Sequence, residues 1–102
     1  MKYEQFVKEV ALPSANCIEY AMAGLAGEAG EVLGRWSKHI RDGGDESKFK
    51  SDLQKELGDV YWMWIHLHNL LDMDPGETIA MNIEKLESRV KRGVISGSGD
   101  FR

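Results

Sequence analysis

Residues 60–71 are apolar almost all the way round when wound as a helix, and this constrains the fold more than any other feature. Leu53, Leu57, Val60, Trp64, Leu67 and Leu71 recur at spacings of four and three, the pattern of a helix seam. Tyr61, Trp62, Met63, Ile65 and Leu70 fall off that seam. A helix that is apolar on every side is central in its protein or shared between subunits. In a chain of 102 residues, one domain's worth, sharing is the more economical solution. Trp62 and Ile65 are then the expected contacts to a second copy. β-branched residues nowhere alternate with polar ones over a useful length, so strands are not expected. The predicted class is all-α, a four-helix bundle completed by oligomerisation as a homodimer or a dimer of dimers.

The remaining helices follow from local signals. Residues 3–11 place Phe6, Val7 and Val10 on one face. Pro13 and Ser14 break and restart the chain, with Ser14 as the expected N-cap of a second helix over about 15–40. Gly24, Gly27, Gly30 and Gly34 fall inside that helix. Each costs up to about 1 kcal/mol of helix propensity relative to Ala. Keeping four implies close backbone approach to another element or room for a ligand. Residues 41–45 read as a loop and 47–71 as the third helix. Asp74 and Pro75 form an N-cap followed by a first-turn proline, starting a fourth helix that runs to about Arg92. Ile79, Ile83, Leu86 and Val90 are its seam, and Gly93 is placed to end it. Residues 93–102 contain three glycines and two serines and read as a flexible tail of one domain spanning 1–102.

Charge and cysteine content narrow the function. Lys and Arg total 13 against 17 Asp and Glu, a net charge of −4. That is not the basic footprint of a protein that binds nucleic-acid polymers. The single cysteine, Cys17, allows no internal disulfide and argues against structural zinc. No run approaches the roughly 18 apolar residues of a membrane span, and residues 1–10 do not read as a signal peptide. A cytoplasmic protein is expected.

Two acid pairs stand out. Glu28 and Glu31 form E-x-x-E in the second helix, and Glu56 and Asp59 form E-x-x-D in the third. A spacing of three puts both acids of a pair on one helix face, where like charges repel unless a cation is present. Relative to the seam of the third helix, Glu56 lies about 60° and Asp59 about 120° away at the α-helical pitch, at the edge of a helix–helix contact. Four carboxylates in one groove suit Mg²⁺, with Mn²⁺ as a substitute. Each pair alone also fits an ordinary solvated face. A di-iron centre would want Glu-x-x-His, and none of these acids has a histidine three residues on. His39, His66 and His68 therefore read as packing residues. Along the second helix, Glu28, Glu31, Arg35 and Lys38 continue one stripe that turns from acidic to basic, as a polyphosphate requires; pairing of Glu31 with Arg35 fits the same spacing. Asn82 and Lys85 lie one turn apart on the fourth helix, and Arg102 ends the tail.

G-L-A-G-E-A-G-E-V at 24–32, E-L-G-D-V at 56–60, N-I-E-K-L-E-S-R at 82–89 and G-V-I-S-G-S-G-D-F-R at 93–102 together resemble the MazG family. This is a group of all-α nucleoside triphosphate pyrophosphohydrolases, and the likeness is to its compact phage and bacterial members, over about 15–102. The resemblance implies Mg²⁺-dependent hydrolysis of a phosphoric anhydride, converting a (deoxy)nucleoside triphosphate to the monophosphate and pyrophosphate. It implies Glu28, Glu31, Glu56 and Asp59 as metal ligands and catalytic acids, and Lys38, Asn82 and Lys85 as phosphate or sugar contacts. Arg35 and Arg102 are further expected phosphate donors. Asn16, Tyr20 and Trp36, placed in the second helix, are candidates to stack on or hydrogen-bond the base, with core or interface packing the stronger alternative for each. The tail would fold over the bound nucleotide, with Phe101 covering the base. If the chain is phage-encoded, its compartment would be the host cytoplasm. Two other functions fit the same residues: a non-catalytic helical dimer that binds a partner protein, and a dUTPase-like branch of the same superfamily.

Overall fold

A computed structural model describes residues 2–102. The chain forms α1 (Tyr3–Val10), a single 3-10 turn (Pro13–Ala15), α2 (Ile18–Asp42), α3 (Glu46–Leu70) and α4 (Pro75–Lys91). No strand occurs among the described residues, so the all-α expectation holds. No described helix is long and apolar enough to cross a membrane. The chain divides into two compact units, one ending at Asp72 and the other spanning Met73–Arg102.

In the first unit, α2 starts later than the sequence predicts. Pro13 opens the 3-10 turn, Asn16 has neither helical nor extended backbone angles, and extended Cys17 occupies the N-cap position without a side-chain hydrogen bond. Ser14 is therefore not the cap, and Asn16 lies ahead of the helix instead of inside it. At the other end Gly43 adopts φ +68°, left-handed backbone that glycine tolerates. Asp45 then caps α3, its carboxylate accepting from the Ser47 and Lys48 amides at 2.7 and 3.2 Å. The loop is thus only residues 43–45.

α2 and α3 pack antiparallel. Gly24 faces Met63, Arg35 faces Glu56 and His39 faces Phe49, so positions rise on one helix as they fall on the other. Of the four α2 glycines, Gly24 alone is closely approached: a Cβ there would lie 2.6 Å from the end of the Met63 side chain, which would have to move aside. Gly27 and Gly30 have no neighbour within 4 Å of a Cβ, so close approach does not explain them. α1 lies on α3, with Tyr3 stacked on Tyr61 at 5.1 Å and the Asn69 amide donating to the Glu4 carbonyl at 3.1 Å.

The buried face of α3 is not the seam that spacing suggests. Leu57 is 50% exposed and Leu71 is exposed, whereas Glu56, Ile65, His66 and His68 are buried. Where a helix is apolar nearly all round, the three–four rhythm does not choose one face. His66 Nε2–H donates to the Ala15 carbonyl at 2.7 Å, and His68 Nδ1–H donates to the Trp64 carbonyl at 2.8 Å. Both are buried packing histidines, as expected. Ile65, at 0% exposure, is a core residue and cannot be the subunit contact read from the sequence. Trp62 stacks on His66 at 5.0 Å and is half-buried.

In the second unit, Asp74 caps α4 by accepting from the Gly76 amide, and Pro75 occupies the first turn, as expected. Gly93, φ +71°, ends the helix. The Val94 amide donates to the Arg89 carbonyl at 2.9 Å and the Gly93 amide to the Val90 carbonyl at 3.2 Å, the two bonds of a Schellman cap.

The tail differs from the unordered segment its composition suggests. Gly97 and Gly99, both at positive φ, turn it back on the end of α4. The Arg102 guanidinium donates to the carbonyls of Val94, Ile95 and Gly99, and Arg92 donates to the Arg102 carbonyl at 2.8 Å. Asp100 receives Lys85 and buried Arg89, each at 3.3 Å. The hydrogen bond and charge of Lys85, then those of Arg89, hold the Asp100 carboxyl below its ordinary pKa of 3.8. A depressed acid pKa means a contribution present above the unfolded pKa and lost as pH falls through the folded value. Replacing Asp100 with Asn should speed amide exchange at residues 99–102 at pH 7 while α4 keeps its helical signal. Wild type should match this loosening only below about pH 4. Equal exchange in both proteins at pH 7 would show that Asp100 does not hold the tail.

Candidate metal centre

The antiparallel register of α2 and α3 brings acids from both helices together. Glu28 on α2 and Glu56 and Asp59 on α3 each offer a carboxylate oxygen within 4.8 Å of the other two. Glu56 is the buried member at 8% exposure, Glu28 is half-buried and Asp59 is exposed. Partial burial, followed by the charges of Asp59, Glu56 and Glu31, pushes the Glu28 carboxyl above its usual range. Glu31, one turn further along α2 and exposed, lies outside the trio.

The trio suits a hard divalent cation. Two oxygens on opposite sides of a Mg²⁺ ion are about 4.2 Å apart, from ligand distances of about 2.1 Å. Three carboxylates already within 4.8 Å need only small side-chain rotations to meet that span. No histidine or cysteine joins the cluster, which favours Mg²⁺ or Mn²⁺ over softer metals.

Arg35 is placed differently from its i, i+4 spacing to Glu31. It crosses to α3, where Nε and Nη2 meet Glu56 Oε1 at 3.0 and 2.9 Å, and Nη1 approaches Asp52 Oδ2 at 3.8 Å. Asp52 also accepts from Lys48 at 2.8 Å. The Lys48 hydrogen bond, opposed by some burial and aided by the Lys48, Arg35 and Lys55 charges, holds the Asp52 carboxyl below its usual range. Sequence reasoning missed Asp52. The spacing of four in Lys48, Asp52 and Glu56 was the available signal.

Beyond Arg35, exposed Lys38 lines a cavity of about 260 Å³ at the α2–α3 turn, with His39, Asp45, Lys48 and Phe49 among its walls. His39 and Phe49 stack at 4.5 Å, and half-exposed Trp36 lies 5.6 Å from Phe49. Phe49 too went unnoticed in the sequence. Tyr20 sits edge-on to His66 at 6.5 Å, and Asn16 is exposed ahead of α2. Asn82, Lys85 and Arg102 belong to the second unit. Asn82 is exposed there. That unit has its own cavity of about 350 Å³, ringed by Lys85, Arg89, Arg92 and Arg102 with Glu84 and Asp100.

Comparison with known proteins adds an independent finding. The MazG nucleotide pyrophosphohydrolase domain matches residues 18–94, from the start of α2 past the end of α4. The chain is similar to the Gene 37 protein of Mycobacterium phage L5, 45% identical over 91 residues, which are 87% of this chain and 80% of that protein. No solved structure matches the chain.

Proposed function

Given that the chain belongs to the MazG nucleotide pyrophosphohydrolase family, we propose that it hydrolyses (deoxy)nucleoside triphosphates to the monophosphate and pyrophosphate with Mg²⁺ or Mn²⁺. The observation that carries this reading is the convergence of Glu28, Glu56 and Asp59 across the α2–α3 contact. A divalent cation bound there would neutralise triphosphate oxygens and lower the pKa of a bound water. Glu28, Glu56 and Asp59 would hold it. Glu31 adds a fourth carboxylate on the same stripe, for the ion's outer side or for the proton of the attacking water. The water's oxygen bonds to phosphorus as the α–β anhydride breaks, and pyrophosphate leaves.

Lys38 continues the stripe of Glu28, Glu31 and Arg35 along α2 and has no ion pair among the described residues, which supports a phosphate role. Asn82 and Lys85 are proposed as phosphate or sugar contacts, and Lys85 would exchange Asp100 for substrate. Arg102 would have to release three tail carbonyls to reach a phosphate. Trp36 and Tyr20, each about half exposed, are alternative ring faces for a base, about 24 Å apart along α2 with the acids between them, and exposed Asn16 lies on the Tyr20 side.

Incubation with a panel of ribo- and deoxynucleoside triphosphates and Mg²⁺ or Mn²⁺ tests the proposal by pyrophosphate release. Turnover confined to uracil nucleotides would favour the dUTPase-like reading. No metal-dependent turnover anywhere on the panel would favour a partner-binding helical protein.

The active species is proposed to be a homodimer or a dimer of dimers. Leu33 and Ile40 on α2 and Ile79, Ile83 and Val90 on α4 are exposed in a single chain. Stripes of this kind at helical spacing are faces that a second copy would cover. Sedimentation at micromolar concentration should give a mass of at least twice the monomer; a monomeric mass would contradict the assembly.

A further inference from the structure

Arg35 is the one Lys or Arg, among the described residues, that pairs with any acid of the Glu28–Glu56–Asp59 trio. Its target is Glu56, the acid with least access to water. A buried carboxylate needs a partner that compensates its charge and limits its orientation. Arg35 does both through one oxygen, since Nε and Nη2 each meet Oε1. The other oxygen, Oε2, makes no hydrogen bond among the described residues. The guanidinium Nη1 also lies 3.8 Å from Asp52 Oδ2, an ion pair, and the same oxygen accepts from Lys48 at 2.8 Å. A chain of charges therefore runs from the first turns of α3, through α2, and back to Glu56.

We infer that Arg35 is a positioning residue of the metal site: it fixes buried Glu56 through Oε1 and so leaves Oε2 to meet the cation, with Asp52 anchoring the guanidinium. This rests on the metal-site reading above and replaces a direct phosphate role for Arg35. A planar fork is needed, because one side chain must give two donors to a single oxygen while still facing a second carboxylate. Lysine, a point charge, cannot do this. Partners that orient metal ligands typically change metal affinity about 10- to 100-fold when removed.

The test is Mn²⁺ titration of the full chain without nucleotide, with free Mn²⁺ followed by electron paramagnetic resonance. Arg35→Gln should weaken the Mn²⁺ Kd by about 10- to 100-fold. Arg35→Lys should recover little of that loss, and Asp52→Asn should weaken binding in the same direction by less. With Mn²⁺ saturating, the nucleotide KM of Arg35→Lys should stay within about twofold of wild type, because the loss lies in metal binding. An unchanged or tighter Kd in Arg35→Gln would overturn the inference, since Arg35 would then be a bystander or a competitor of the ion. Full recovery by Lys would also overturn it by showing that charge alone suffices, as would a raised KM at saturating metal. Should Arg35→Gln fail to fold, the Lys and Asp52→Asn variants, scored the same way, decide. If the wild type binds no Mn²⁺, the metal-site reading fails and this inference with it. Wild-type binding that Arg35→Gln leaves intact fails the inference alone.

Discussion

Glu56→Gln should abolish most metal-dependent turnover while the helices remain intact. Glutamine nearly keeps the shape and still offers Arg35 an amide oxygen, but it removes the charge that a cation requires. Losing one carboxylate ligand of a catalytic ion costs several kcal/mol of transition-state stabilisation, on the order of a hundredfold or more in rate. Steady-state pyrophosphate release with Mg²⁺ and Mn²⁺ measures it, and turnover within tenfold of wild type would remove Glu56 from the site. The stability of the metal-free protein is a separate matter. Carboxylate repulsion alone suggests that this variant would gain stability, but the change also removes the ion pair to Arg35 at 2.9 Å, so relief and loss oppose each other and its melting temperature should change little. The acid whose neutralisation relieves repulsion is Asp59, exposed and without an ion pair among the described residues. It is the leading charge that raises the Glu28 pKa. A raised folded pKa gives stability that is full below the unfolded value of 4.5 and lost as pH rises through the folded one. Asp59→Asn should therefore raise the metal-free melting temperature at neutral pH.

The second large effect is on the core. Ile65→Ala removes a side chain with no exposed surface. Truncations of this kind cost about 2–5 kcal/mol through lost burial and the cavity left behind. For a domain of this size that is a fall of roughly 10 °C or more in melting temperature. Leu57→Ala, at a position half exposed in the chain, should cost far less. Thermal unfolding followed by circular dichroism separates the two. A larger loss for Leu57 than for Ile65 would restore the seam that spacing alone suggests and contradict the observed packing of α3.

The two positions also show where sequence reasoning reached its limit. Helix number, the Asp74–Pro75 start and the Gly93 stop were legible because each depends on the local chemistry of one or two residues. The face of α3 was not, since nearly every face of its second half is apolar and rhythm leaves the choice open. The start of α2 was misplaced because Pro13 and Ser14 are equally good signals for a 3-10 turn. At the site, E-x-x-E and E-x-x-D located the acids, and three of the four converge. The burial of Glu56 was hidden because its compensating partner, Arg35, lies 21 residues away on another helix. The folded-back tail was equally hidden: Arg102 is held by backbone carbonyls, which every sequence has.

The three-residue turn at 43–45 has a kinetic consequence. It lets α2 and α3 meet as a helical hairpin, so the converging acids, the arginine behind them and its anchoring aspartate all lie within residues 28–59. Closing a short turn costs little chain entropy, and local contacts of this kind form fast. The carboxylates would then face one another as the hairpin closes, before α1 need pack on α3. A cation present at that stage would bind the hairpin in preference to the open chain and so favour its closure. The ligand set would act as a folding clasp as well as a reaction centre, and divalent-metal concentration would influence how readily the newly made chain gathers its two longest helices.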